Sequence, residues 1–140
     1  MKKVFFLIVI AFSSILLLTN SLAQPNTLSS NSNKVVKIYY FHSTNRCATC
    51  NAVENNAKSL IEEKYKDQVS KGLLQFQSIN IDDKANKNLV NKYKIAFSTL
   101  LIINPDGTVN DFTNTAFQYA KSNPTKYKEL LIVEINKSLK

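Results

Sequence analysis

Two cysteines and a single histidine are all the soft ligands the 140 residues contain, too few for a structural zinc site, which closes with four. The longest apolar run, Val4 to Leu18, is broken by Ser13 and Ser14 and stops at Thr19. It falls short of the ~20 apolar residues that a bilayer span needs. No cysteine follows it closely, which argues against the common lipoprotein route. Acidic residues are also scarce, 10 against 18 basic, for a net charge of +8. The lysines are scattered among Asn, Ser and Glu and form no stripe interleaved with aromatics. That pattern describes solvated helix faces and excludes nucleic acid as a partner, leaving at most a loose attraction to anionic polymers. There is no internal repeat.

The amino-terminal residues form a targeting pattern. Lys2 and Lys3 give a positive start, an apolar stretch follows, and Ser21-Leu22-Ala23 supplies the small residues of a cleavage site. The expectation is a signal peptide over 1–23 cut after Ala23, a periplasmic or secreted location, and no membrane span after cleavage. Residues 24–33 are rich in Ser and Asn and predict a disordered leader. Residues 34–140 suffice for one domain that buries a core without staples, expected as a monomer.

Within that domain Val35 to Phe41 is a β-branched and aromatic run of the kind a buried central strand shows. From Cys47 to about Lys66 there is neither Gly nor Pro, and Val53, Ala57, Leu60, Ile61 and Tyr65 recur at helical spacing. Leu73 to Ile81 reads as a strand whose apolar parity shifts, predicting an irregularity near Ser78. Asp82 and Asp83 end it as turn and cap residues. Leu89, Val90 and Tyr93 mark a short helix, and Thr99 to Ile103 the next strand. Asn104-Pro105-Asp106-Gly107 is a turn signal returning Val109 to Phe112 as an antiparallel partner. Asn123 caps a last helix with Pro124 at its first position, and Tyr127, Leu130, Leu131, Ile135 and Leu139 share one face. The order predicts an α/β domain: a βαβ unit, then an antiparallel ββα unit, one mixed sheet, and helices on both faces.

Cys47 and Cys50 follow the targeting segment and are three positions apart, in a chain bound for an oxidising compartment. A bridge between them would close a very small loop and stabilise little through chain entropy. The spacing points to chemistry.

Cys47-Ala48-Thr49-Cys50 between a strand and a helix, INID (79–82), KYKI (92–95), STLLI (98–102) and the Asp106-Gly107 turn come in an order that resembles the thioredoxin superfamily. The segment YYFHSTNRCATC is similar to small exported ArsF-like members. The resemblance implies a thioredoxin-like fold over 34–140 and thiol–disulfide exchange without a cofactor. It makes Cys47 the attacking thiolate and Cys50 the resolving thiol. Partners would be protein or small-molecule thiols and disulfides. Three positions depart from the pattern: Arg46 replaces the usual Trp, Ser98 the cis-Pro, and Phe41 a buried carboxylate. A trans peptide is expected at Ser98, because a cis bond to a non-proline costs about 2.5–4 kcal/mol.

Around the pair, the helix start and Arg46 bring positive charge that favours a thiolate, leaning toward a mild oxidant or isomerase. His42 is either a proton shuttle beside the pair or a packed strand-end residue. Ser98 and Thr99 either offer backbone groups to an extended partner or simply feed a strand. Two other function classes fit: a soft metal or metalloid site for Cu(I) or arsenite from Cys47, Cys50 and His42, and a non-catalytic interaction module on the same scaffold. The Asn136-Lys137-Ser138 sequon falls in the last helix and reads as accidental.

Overall fold

The computed structural model describes residues 35–140; the expected signal peptide, its cut after Ala23 and the leader lie outside them. The strands are β1 (Val36–His42), β2 (Leu74–Asn80), β3 (Thr99–Ile103) and β4 (Val109–Asp111). The helices are α1 (Ala48–Lys64), α2 (Lys66–Ser70), α3 (Lys87–Tyr93, entered through a 3-10 turn over Lys84–Asn86), α4 (Thr113–Tyr119) and α5 (Pro124–Ser138). No helix of the described residues is long and apolar enough to cross a membrane.

The sheet order is β2-β1-β3-β4. β1 and β2 run parallel, as a βαβ unit requires, while β1–β3 and β3–β4 are antiparallel. This is the mixed sheet that the order of sequence elements predicts. β1 is interior to the sheet and buried on both faces. Val36, Ile38 and Tyr40 meet α1, α4 and α5 in the larger core, with Leu100 and Ile102 of β3. Tyr39 and Phe41 point the other way, with Ile79, Leu101 and Ile103, beneath Leu89, Val90 and Tyr93 of α3. Helices therefore cover both faces.

The expected irregularity near Ser78 is absent. β2 pairs with β1 without a break from Val36↔Leu74 to His42↔Asn80. Its parity shift has another cause. Leu74 and Phe76 pack against the larger core, whereas Ile79 and Ile81 pack against the α3 face, so a regular edge strand fills different cores with its two ends. The sequence also gave no signal for α2 and α4. Both are single short helices whose propensity is too weak to stand out. α4 is held instead by Phe112, Ala116 and Ala120 in the core.

Local chemistry sets the remaining ends. Asn123 accepts from the Lys126 N–H at 3.1 Å with Pro124 at the first helical position, as expected. The Asn104–Gly107 turn closes through Gly107 N–H to Asn104 C=O at 2.9 Å, with Gly107 at φ 86°, where only glycine sits without strain. α5 is locked onto α1 by Tyr127, fully buried, whose hydroxyl donates to the Val53 carbonyl at 3.1 Å. Burial raises the Tyr127 pKa, keeping the phenol a donor.

Truncating the α5 face separates packing from hydrogen bonding at this contact. Leu131→Ala is expected to cost about 2–5 kcal/mol. Tyr127→Phe, which removes one buried hydrogen bond and little volume, should cost about 1 kcal/mol. Urea unfolding of the two variants checks the ranking.

Candidate functional site

The site stands where β1 ends and α1 begins. Cys47 occupies the N-cap of α1 with extended backbone (φ −77°, ψ 163°), and its Sγ accepts from the Cys50 N–H at 3.0 Å. Cys47 and Cys50 form a disulfide. Cys47 is exposed and Cys50 is only 8% exposed, one turn deeper. Cys47 is thus the open member of the pair and Cys50 the shielded one. The spacing creates that asymmetry: position i caps the helix, and position i+3 lies one turn on, facing the core.

Beneath the pair lies Tyr40, fully buried, whose hydroxyl donates to the Cys50 carbonyl at 3.0 Å. Burial, above all, pushes the Tyr40 phenol up, and the Ser98 side chain beside it pulls the other way. Two residues along β1, His42 shares this face, buried, its ring centroid 5.9 Å from that of Tyr40. Its Nδ1 faces the Ser43 carbonyl at 2.9 Å, and its Nε2 faces the Arg46 guanidinium. A carbonyl only accepts and a guanidinium only donates. Nδ1 thus faces an acceptor and Nε2 a donor. Both nitrogens are engaged, so the Cys47–Cys50–His42 metal reading would require this ring to let go of a partner. Among the described residues no group of three or more His, Cys, Asp or Glu is placed to hold a metal ion.

Arg46 does not stand free beside the sulfurs. It bonds His42 with one nitrogen and forms an ion pair with Glu54 through the other. The positive charge expected to favour a thiolate is thus balanced by a half-buried carboxylate on α1. Sequence reasoning overlooked Glu54. A signal existed: Cys47, Cys50 and Glu54 are spaced i, i+3, i+7, one stripe of a helix.

Ser98 and Thr99 are brought to the site unequally. The peptide at Ser98 is trans, as are all others described, and Ser98 lies beside the Tyr40 phenol. Thr99 is already in the sheet, paired with Phe41 and buried, its hydroxyl turned back onto the Phe97 carbonyl at 2.9 Å. Phe41, at the position of the missing carboxylate, points to the opposite face of the sheet, away from α1. On the α1-facing side of β1, the residues at the end nearest the cysteines are Tyr40 and His42.

Asp82 is more than a turn residue. It accepts from the Thr44 backbone N–H at 2.7 Å, while Asn80 donates to the Thr44 hydroxyl at 3.0 Å. The end of β2 thereby ties down the loop carrying Ser43 to Arg46. Asp83 does cap the next turn, through the Ala85 N–H at 2.9 Å. An open cavity of about 770 Å³ lies at the other end of β3, between Asn104–Asp106 and the end of α5, and neither cysteine lines it.

No family model matches the chain, and no curated protein matches it. Among solved structures it is similar to a malarial protein, at 18% identity and TM-score 0.49 over 76% of this chain and 99% of that one. It is also similar to an uncharacterized thioredoxin-like protein from Porphyromonas gingivalis, at 15% identity and TM-score 0.44 over 76% of each chain. The deciding features are the chain's own: a parallel βαβ unit with the cysteine pair at its first strand–helix junction, joined through β3 to an antiparallel hairpin and closing helices. The fold is thioredoxin-like. With the Cys47–Cys50 pair at its first strand–helix junction, this fold is consistent with thiol–disulfide chemistry.

The loop anchor has a defined pH response. Hydrogen bonds from Thr44 hold the Asp82 carboxyl below its ordinary value of 3.8. A depressed folded-state pKa gives a contribution fully present above the unfolded value and lost as pH falls through the folded one. By NMR, the Asp82 carboxyl should titrate below 3.8, with the Thr44 amide shifting in step. Asp82→Asn should abolish the Thr44 response.

Proposed function

We propose that the protein is an exported thiol–disulfide oxidoreductase that exchanges its Cys47–Cys50 couple with protein or small-molecule partners. The observation that carries this reading is the accessible Cys47 sulfur bonded to a shielded Cys50 at the start of α1. The Cys47 thiolate attacks one sulfur of a partner disulfide, joins it in a mixed disulfide, and expels the other as a thiolate. Cys50 then loses its proton and attacks Cys47 Sγ, closing the intramolecular bond and releasing the second partner thiolate. Two electrons pass to the partner, whose thiolates take up two protons. The same steps run backward when the partner is the stronger reductant.

The chain's own groups support the cycle. Unpaired N–H groups at the start of α1 and the Cys50 N–H stabilise charge on Cys47. Tyr40 fixes the Cys50 backbone, and the Thr44 anchor holds the approach loop. The partner's backbone would lie along Phe97 and Ser98, whose N–H groups bond nothing among the described residues. Export rests on Lys2, Lys3, the apolar run and Ser21-Leu22-Ala23, and places the mature chain in a periplasm or outside the cell. Kinship with exported ArsF-like proteins rests on the segment YYFHSTNRCATC.

Insulin reduction by a dithiol tests the reading. Cys47→Ser should abolish turnover, and Cys50→Ser should accumulate a mixed disulfide on Cys47, visible by mass spectrometry. Unchanged insulin reduction by Cys47→Ser would overturn it. Titration of the wild-type couple in glutathione buffers assigns its direction: about −270 mV marks a thioredoxin-like reductant, about −120 to −180 mV an oxidant or isomerase.

A further inference from the structure

The cation nearest the exchange site is already committed. Arg46 directly precedes the N-cap Cys47 in the chain, yet its guanidinium is spent on His42 Nε2 and the Glu54 carboxylate. Neither partner is incidental. His42 is buried and pinned by its second nitrogen to Ser43. Glu54 comes from the second turn of α1, its side chain 16% exposed, and Arg46 is the cation paired with it. A half-buried carboxylate without a partner is costly, so Glu54 has a strong hold on the guanidinium. The remaining ionisable groups around the pair are Tyr40, a protonated donor beneath Cys50, and Asp82, turned to Thr44. Among the described residues Arg46 is therefore the positive side chain that this constellation offers a Cys47 thiolate.

Resting on the exchange reading above, we propose that Glu54 is a positioning residue that sets the redox poise of the couple: by holding Arg46 against His42 it keeps the guanidinium from pairing with the Cys47 thiolate. A thiolate paired with a guanidinium stabilises the dithiol form and makes the disulfide more oxidising. Glu54 opposes that, and the couple is more reducing than the sequence neighbourhood of Arg46 suggests. It acts through Arg46 and touches neither reacting sulfur. The consequence is a preference for reducing partner disulfides over donating one.

The test is a double-mutant cycle on the full mature chain, read by midpoint potential in glutathione buffers and by the fraction of Cys47 thiolate at neutral pH from its ultraviolet absorbance. Glu54→Ala frees Arg46, and Glu54→Gln removes the charge at constant shape should the alanine variant fold poorly. Each should raise the thiolate fraction and shift the equilibrium with glutathione about tenfold toward the dithiol, about 30 mV more oxidising. In an Arg46→Gln background the Glu54 substitution should change the equilibrium by less than about twofold. An unchanged potential in the Glu54 variants overturns the proposal, as does an equal shift with and without Arg46, which would mean that Glu54 acts on the sulfur directly. Wild-type protein that forms no reversible Cys47–Cys50 disulfide in the same buffers would instead overturn the exchange reading itself.

Discussion

β1 is packed on both faces, and every residue along it but the half-buried Lys37 is buried on one side or the other. Side chains alternate across a strand, so a single register choice fixes the contents of both layers. With Val36, Ile38 and Tyr40 directed to α1, the same parity delivers His42 to the site and sends Phe41 away from it. A slip of one residue would exchange the two sets. The polar parts of Tyr40 and His42 are tolerated at the edge of the larger core because each is bonded: the phenol to the Cys50 carbonyl, the imidazole to Ser43 and Arg46.

The cysteine site is thus an extension of core packing. α1 is seated on β1 by Val53, Ala57, Leu60 and Ile61 and clamped by Tyr127 of α5. Its first turn projects past the sheet, where Cys47 caps it in the open and Cys50 turns inward. The accessible sulfur and the shielded one differ by a single helical turn. This geometry gives the two sulfurs different surroundings, as the proposed division into attacking and resolving thiols requires.

Charge at the site is arranged in pairs. Arg46 answers Glu54, Asp82 answers the Thr44 N–H, and His42 sits between a carbonyl and a guanidinium. The strongly basic composition does not make a basic site. The lysines lie mostly on exposed positions, as their scatter through the sequence implies. The positive character next to the cysteines is set by one arginine and by how firmly its partners hold it.

Much of the fold was legible beforehand because it is written in short-range patterns. The β-branched run of β1, the helical spacing of Val53 to Tyr65, the Asn104–Gly107 turn and the Asn123 cap each involve residues within a few positions of one another. The cysteine pair at a strand–helix junction belongs to the same class. Where local pattern misled, at Ser78, the cause was tertiary: β2 serves a different core at each end, which no local rule can encode. The contacts that make the site were not legible for the same reason. Tyr40 meets Cys50 across 10 positions, Arg46 meets Glu54 across 8, and Thr44 meets Asp82 across 38. The first exists because α1 lies over β1 and the third because β2 lies parallel to β1, while the second follows the helical stripe of Cys47, Cys50 and Glu54. The sequence by itself determined where the cysteine pair stands and which elements hold it. The tertiary structure alone decided which charges and hydroxyls surround the sulfurs, since side chains distant along the chain meet only after the sheet has assembled.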